Sequence, residues 1–166
     1  LILRSTLYPG VTEKVHAYLQ RNNKKTLVAF CPERIAEGHA LKELRELPQI
    51  VSGCTEEAVK QARTLFGVLA KKVVVLKPKE AEIAKLFANT WRYINFATTN
   101  QFYMIANSNG LDFHKISQAM TEDYPRLKAF AKPGLSAGPC LFKDTMQLSS
   151  YGDNNFFLGH AAMLVN

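Results

Sequence analysis

The sequence predicts an α/β layer with mostly parallel strands in its first half, joined by a long helix to a mostly α-helical second half. Short apolar runs alternate with helically spaced segments up to Pro78, the pattern of strands connected by helical crossovers. From Glu80 to Asn109 there is neither proline nor glycine, and Gly110 then stands where a helix terminator belongs. Beyond that point short helical segments and one small-residue loop replace the strands.

In chain order, residues 1–5 are a short apolar run stopped by the turn Tyr8-Pro9-Gly10. Residues 11–21 have helical spacing, with Val11, Val15, Tyr18 and Leu19 on one side. Residues 27–31 form a second apolar run ending at Pro32, which cannot continue a central strand. Residues 49–52 are a brief third run. Thr55 or Cys54 caps the next helix, with Glu56 and Glu57 in its first turn, and that helix runs to about Ala70. Residues 73–76 are the fourth strand, stopped by Pro78. The uninterrupted stretch 80–109 would span about 45 Å as a helix, a length that usually links domains or packs on a partner subunit. Asp112 caps a helix over 113–120, and 124–132 is a candidate for another. Residues 133–139, PGLSAGP, are the small-residue loop. A helix follows from Leu141, broken near Gly152-Asp153.

With 47% hydrophobic and 21% charged residues in 166, the balance is that of a globular protein of about one domain, or parts of two. No apolar run reaches the roughly 18 residues of a membrane span, and LILRSTLYPG lacks a signal peptide's layout. There is no initiator Met and LGHAAMLVN stops inside an apolar helical pattern, so both ends read as cut. The net charge of +7 raises the question of a polyanionic partner. The basic residues are scattered in small clusters with no stripe of interleaved aromatics, so no nucleic-acid partner is expected. Three cysteines, Cys31, Cys54 and Cys140, are too few and too irregularly spaced for a disulfide framework, and no metal site is expected. An odd count without a secretory signal suggests a reducing, cytoplasmic setting.

Three places could carry chemistry. Cys140 follows the small-residue loop at the start of a helix, where the helix terminus favours a thiolate, and Lys143 and Asp144 lie within one turn. The alternative is a buried small hydrophobe. Lys85 and Asn89 are four apart on the long helix among apolar neighbours, so Lys85 either snorkels or is a desolvated functional amine. Glu33 and Glu37, in CPERIAEG directly after a strand, either position hydroxyls or act as a base, or belong to a solvated loop. Thr6, ending the first strand, has the same two readings.

Four segments together resemble the UDP-glucose/GDP-mannose dehydrogenase family: STLYPG (5–10), CPERIAEG (31–38), EIAKLFANTWR (82–92) and GPCLFKD (138–144). They occur in family order at roughly family spacing. The resemblance implies that residues 1–78 are the rear part of a Rossmann-like NAD-binding domain, without its GxGxxG loop, and that 79–166 are the connecting helix and a central helical dimerisation domain. It implies oxidation of a nucleotide sugar at C6, alcohol to carboxylate, with NAD as cofactor, serving polysaccharide precursor synthesis. Cys140 would be the nucleophile, Lys85 and Asn89 would stabilise the oxyanion, and Asp144 would hold Lys85 or water. Glu33 would be the base for hydrolysis and Thr6 would order its water. Glu37, Arg126 and Gly138 are implied for substrate, and Thr6, Glu37 and Lys143 for cofactor. A homodimer is expected through the long helix, whose apolar residues include Phe87, Trp91, Ile94, Phe102 and Ile105. The family loop before the cysteine often reads GxGGSC. Here it reads GLSAGPC, with Ser136 and Ala137 in place of glycines and Pro139 in place of serine. The added side chains narrow the approach to the sugar and leave UDP-glucose, UDP-N-acetylhexosamines and GDP-mannose open. The competing reading is a non-catalytic dimerisation or scaffold fragment.

Overall fold

A computed structural model describes residues 1–36, 38–136 and 138–166. The chain divides into two compact units, Leu1–Leu86 and Phe87–Asn166.

The first unit holds β1 (Ile2–Leu3), α1 (Val11–Arg21), β2 (Ala29–Phe30), α2 (Ala40–Glu46), β3 (Gln49–Gly53), α3 (Glu56–Gly67), β4 (Val73–Val75) and the opening turns of α4 (Pro78–Ser108). The strands lie in chain order, β1-β2-β3-β4. β1 pairs parallel with β2 and β3 with β4, as expected, but β2 and β3 are antiparallel, with Ala29 opposite Gly53 and Phe30 opposite Ser52. The connection explains the reversal. A parallel crossover needs a helix packed back across the sheet, whereas α2 has only seven residues and buries none of them. The chain therefore turns round at one end of the sheet. With no apolar stripe to announce it, α2 was also absent from the sequence expectation.

Side chains alternate across the sheet with the period of two that a strand imposes. Ala29, Cys31 and Val51 pack with Ala62 and Phe66 of α3. Phe30 and Ile50 point the other way, onto Ala81 and Ala84 of α4. Burying Phe30 completely is worth about 1.5–3 kcal/mol. The helix over the first face comes very close. A Cβ on Gly53 would stand 2.9 Å from Ala58 Cβ and 2.8 Å from the Val59 nitrogen. Thr55 is the cap of α3, its hydroxyl accepting from the Ala58 N–H at 3.2 Å.

The second unit contains the rest of α4, then α5 (Phe113–Thr121), a 3₁₀ turn (Pro125–Leu127), α6 (Pro139–Tyr151) and α7 (Phe157–Val165). α4 ends as predicted. Gly110 adopts φ 68°, which a side chain would resist, and the Leu111 N–H closes back on the Ala106 carbonyl at 2.9 Å. Of the expected segment 124–132 only the 3₁₀ turn forms, and it buries no residue, so there is no packing to offset the cost of a longer helix. α6 starts two residues earlier than expected, with Pro139 in its first turn. The core of this unit is Tyr93 and Ala97 of α4 against Ala162 of α7, flanked by Ile94, Leu141, Met163 and Val165. Among the described residues no helix is long and apolar enough to cross a membrane.

Candidate active site

In the first unit, the parallel pairing of β1 and β2 continues past the strands. The Cys31 N–H reaches the Leu3 carbonyl at 2.9 Å and the Glu33 N–H the Arg4 carbonyl at 3.1 Å. Thr6 and Glu33 therefore both follow the carboxyl ends of parallel strands, the edge at which doubly wound sheets hold ligands. That placement fits one side of a dinucleotide site, although the chain contains no GxGxxG to supply the pyrophosphate loop. Thr6 is half-buried. The Glu33 carboxylate is ion-paired with Arg4 and accepts the N–H groups of Arg34 at 2.8 Å and Ile35 at 3.0 Å. Burial pushes its pKa up, but the Ile35 N–H, the Arg4 side chain and the Arg34 N–H outweigh that effect and hold it below the ordinary carboxylate range. Glu33 is thus an ionised acceptor at neutral pH and a weakened base. Arg4, which the sequence reading did not single out, also lies 4.8 Å from the centre of the Phe66 ring. Glu37 lies outside the described residues. Lys85 is half-buried on α4.

A second carboxylate was missed altogether. Glu82, fully buried in the first turns of α4, accepts the Gly10 N–H at 2.5 Å, the Thr12 N–H at 2.8 Å and the Thr12 hydroxyl at 2.6 Å. α1 begins at Gly10 without a side-chain cap of its own. Glu82 supplies that cap from a distant part of the chain, negative charge at the positive end of a helix. Its sequence signal is a lone carboxylate among the apolar residues Ala81, Ile83 and Ala84.

In the second unit, Asn89, Lys143 and Asp144 come together where α6 faces a turn of α4. Asn89, 7% exposed, donates from Nδ2 to Oδ2 of Asp144 at 2.6 Å. Asp144 is fully buried, and its Oδ1 lies 3.2 Å from Nζ of Lys143, an exposed cation. Both contacts help to offset the cost of taking this carboxylate out of water. Cys140 sits in the first turn of the same helix, one turn before Asp144, and is exposed. Gly138 is the N-cap and is exposed, with no side-chain cap bond to the helix start. Arg126 is exposed on the 3₁₀ turn, donating to the Tyr124 hydroxyl at 3.1 Å and lying over the Tyr124 ring.

The three thiols are not equivalent. Burial pushes Cys31 up to about 11. Cys54 is raised by burial and then by the nearby charges of Glu13 and Glu82. Since the thiolate is the nucleophile, neither is placed to react, whereas Cys140 stands open to solvent.

These two units have the fold of nucleotide-sugar dehydrogenases. The structure of UDP-D-ManNAc dehydrogenase from Pyrococcus horikoshii superposes with a TM-score of 0.89 at 31% identity, over 99% of this chain and 41% of that one. A UDP-glucose dehydrogenase from Pyrobaculum islandicum gives 0.86 at 25% identity, over 99% and 40%. Residues 1–70 match the NAD binding domain of the UDP-glucose/GDP-mannose dehydrogenase family and residues 79–166 match its central domain. The chain belongs to that family, and a nicotinamide dinucleotide is the cofactor the matched domain takes. A curated relative from Methanocaldococcus jannaschii, UDP-N-acetyl-D-mannosamine dehydrogenase, is 33% identical over 83% of this chain and 32% of its own length. The chain thus spans well under half of the relatives it matches.

Proposed function

We propose that this chain is the cysteine-bearing part of an NAD-dependent dehydrogenase that oxidises a nucleotide sugar at C6 from alcohol to carboxylate. The observation that carries the reading is the exposed Cys140 at the start of α6, one turn from an Asp144 held by Asn89 and Lys143, inside the family's central domain.

When bound, NAD supplies the oxidant: one alcohol, two NAD⁺ and one water become one carboxylate, two NADH and three protons. Hydride loss alone cannot turn an alcohol into an acid, so the aldehyde stage must first gain a nucleophile. The Cys140 thiolate adds to the aldehyde carbon and forms a C–S bond, giving a thiohemiacetal. Once that carbon is oxidised the thioester remains, and water displaces the thiolate to release the acid. Lys85 and Asn89 stabilise the oxyanion at both additions. Asp144 fixes the Asn89 amide so that its remaining N–H is aimed rather than free to rotate. Ionised Glu33, with Thr6, orders the hydrolytic water. Thr6, Glu37 and Lys143 hold the cofactor, and Glu37, Arg126 and Gly138 contact substrate.

The names of the relatives favour a UDP-N-acetylhexosamine, UDP-N-acetyl-D-mannosamine first, with UDP-glucose next. We assign the product to polysaccharide precursor synthesis in the cytoplasm. We further assign a homodimer through α4, supported by exposed Phe87, Trp91, Phe102 and Ile105 on that helix.

The test is NADH formation by the full-length gene product with a panel of UDP- and GDP-sugars. Two NADH per sugar are expected. A single NADH per sugar with aldehyde accumulating would refute the covalent route. No turnover with any sugar would leave the scaffold reading.

A further inference from the structure

We propose that Asn100, on α4, is a positioning residue for Cys140, acting by clamping the backbone of the loop that delivers the cysteine. The inference rests on the function proposed above for its kinetic consequence, but the clamp itself is a feature of this chain.

The Gly134 peptide is held from both sides by one side chain. Its N–H donates to Asn100 Oδ1 at 2.8 Å, and its carbonyl accepts from Asn100 Nδ2 at 3.0 Å. The side-chain amide thus replaces a strand partner, forming the pair of bonds that a neighbouring backbone would form. The amide cannot turn over. Nδ2 also donates to Asn166 Oδ1 at 2.9 Å, and Asn166 Nδ2 donates to the Tyr93 carbonyl at 3.0 Å. Flipping Asn100 would set an oxygen against two acceptors. Asn100 follows Tyr93 and Ala97 along α4 at helical spacing, beside the residues packed on α7. Its base is therefore part of a packed helix contact rather than a mobile surface.

Residues 133–138 carry two glycines. Leu135 is 92% exposed and Ser136 is buried, and among residues 133–136 the hydrogen bonds found to the rest of the protein are those between Gly134 and Asn100. Five residues after Gly134, the Pro139 ring fixes φ at the first helical position, with Cys140 next. Where Gly134 is pinned therefore helps set how the first turn of α6 presents the thiol. An asparagine inside a helix is a poor choice by intrinsic propensity, which is consistent with a task beyond helix formation.

The test uses three variants of the full-length gene product. Asn100→Ala removes both bonds to Gly134. Asn100→Asp keeps an acceptor for the Gly134 N–H but sets a carboxylate against its carbonyl. Thr99→Ala, at a buried neighbour whose hydroxyl donates to the Asn95 carbonyl within α4, is the control for lost stability. Displacements of about 1 Å cost on the order of a hundredfold in rate. Asn100→Ala is accordingly expected to lower kcat by roughly ten- to a hundredfold with little change in KM, with Asn100→Asp intermediate. The rate of iodoacetamide labelling at Cys140, read by peptide mass, should change several-fold in Asn100→Ala. Thr99→Ala, melting at least as early, should keep wild-type kcat and labelling. Wild-type kcat and Cys140 labelling in Asn100→Ala would overturn the proposal. So would equal losses in Asn100→Ala and Thr99→Ala. If the wild-type protein oxidises no sugar, the function fails, and the labelling comparison still decides the clamp.

Discussion

Helices α1 and α6 both begin at a glycine N-cap that makes no side-chain cap bond of its own, yet their first turns are used in opposite ways. At α1 the buried Glu82 carboxylate occupies the helix start, taking the Gly10 and Thr12 N–H groups and the Thr12 hydroxyl. At α6 no side-chain hydrogen bond to the helix start is found among the described residues, and the first turn presents the exposed Cys140. At α1 a carboxylate is buried at the positive end of the helix, whereas at α6 a thiol is left open to solvent. On the function proposed above, damage at α1 is expected to lower stability and damage at α6 to lower activity.

The strongest way to probe the contrast is to compare the cysteines. With iodoacetamide near pH 8, Cys140 should label at least roughly a hundredfold faster than Cys31, whose thiol is fully buried and raised to about 11. Peptide mapping over time measures both rates, and equal rates would show that α6 does not present its thiol as described. Next in size is Glu82→Ala. It strands buried donors at α1 and should cost about 2–4 kcal/mol in urea unfolding. Glu82→Gln, keeping one acceptor, should cost less.

The smallest effect concerns Glu33. Its pKa in the folded chain is lowered, so it contributes stability above the ordinary, unfolded carboxylate pKa, and that contribution is lost as pH falls through the folded value. Because the side chain is partly exposed, the effect is screened. Glu33→Gln should therefore flatten the acid limb of the stability curve modestly while leaving the alkaline limb as it is. Thermal melting across pH 3–8 measures this, and an unchanged acid limb would show that the Ile35 N–H, Arg4 and Arg34 N–H contacts of the carboxylate together contribute nothing.

Much of this could be read from the chain, and what could not has a common cause. α1, α3, α4 and α5 announce themselves through apolar spacing, Thr55 and Asp112 caps and the terminator Gly110, all signals local to a few residues. Helix α2 lacks an apolar stripe because it buries nothing, and the reversal between β2 and β3 depends on how that short connection turns. The site divides along the same line. Cys140 and Asp144 could be placed together because one turn of helix joins them. The bonds from Asn89 to Asp144, from Thr12 to Glu82 and from Asn100 to Gly134 join residues far apart in sequence, and no periodicity encodes such partners. In each case the hint was a polar side chain on a helix face that packing should have made apolar, and that hint names the residue but not its partner.

The central claim is that Cys140 carries the sugar carbon through the second oxidation. It is tested most directly by comparing acid formation from UDP-N-acetyl-D-mannosamine and NAD by the full-length protein and its Cys140→Ser variant. The account predicts that the variant loses acid formation by at least roughly a thousandfold, the scale on which enzymes lose rate when a covalent nucleophile is removed, while its melting temperature is unchanged. Acid accumulating at the wild-type rate in Cys140→Ser would contradict it.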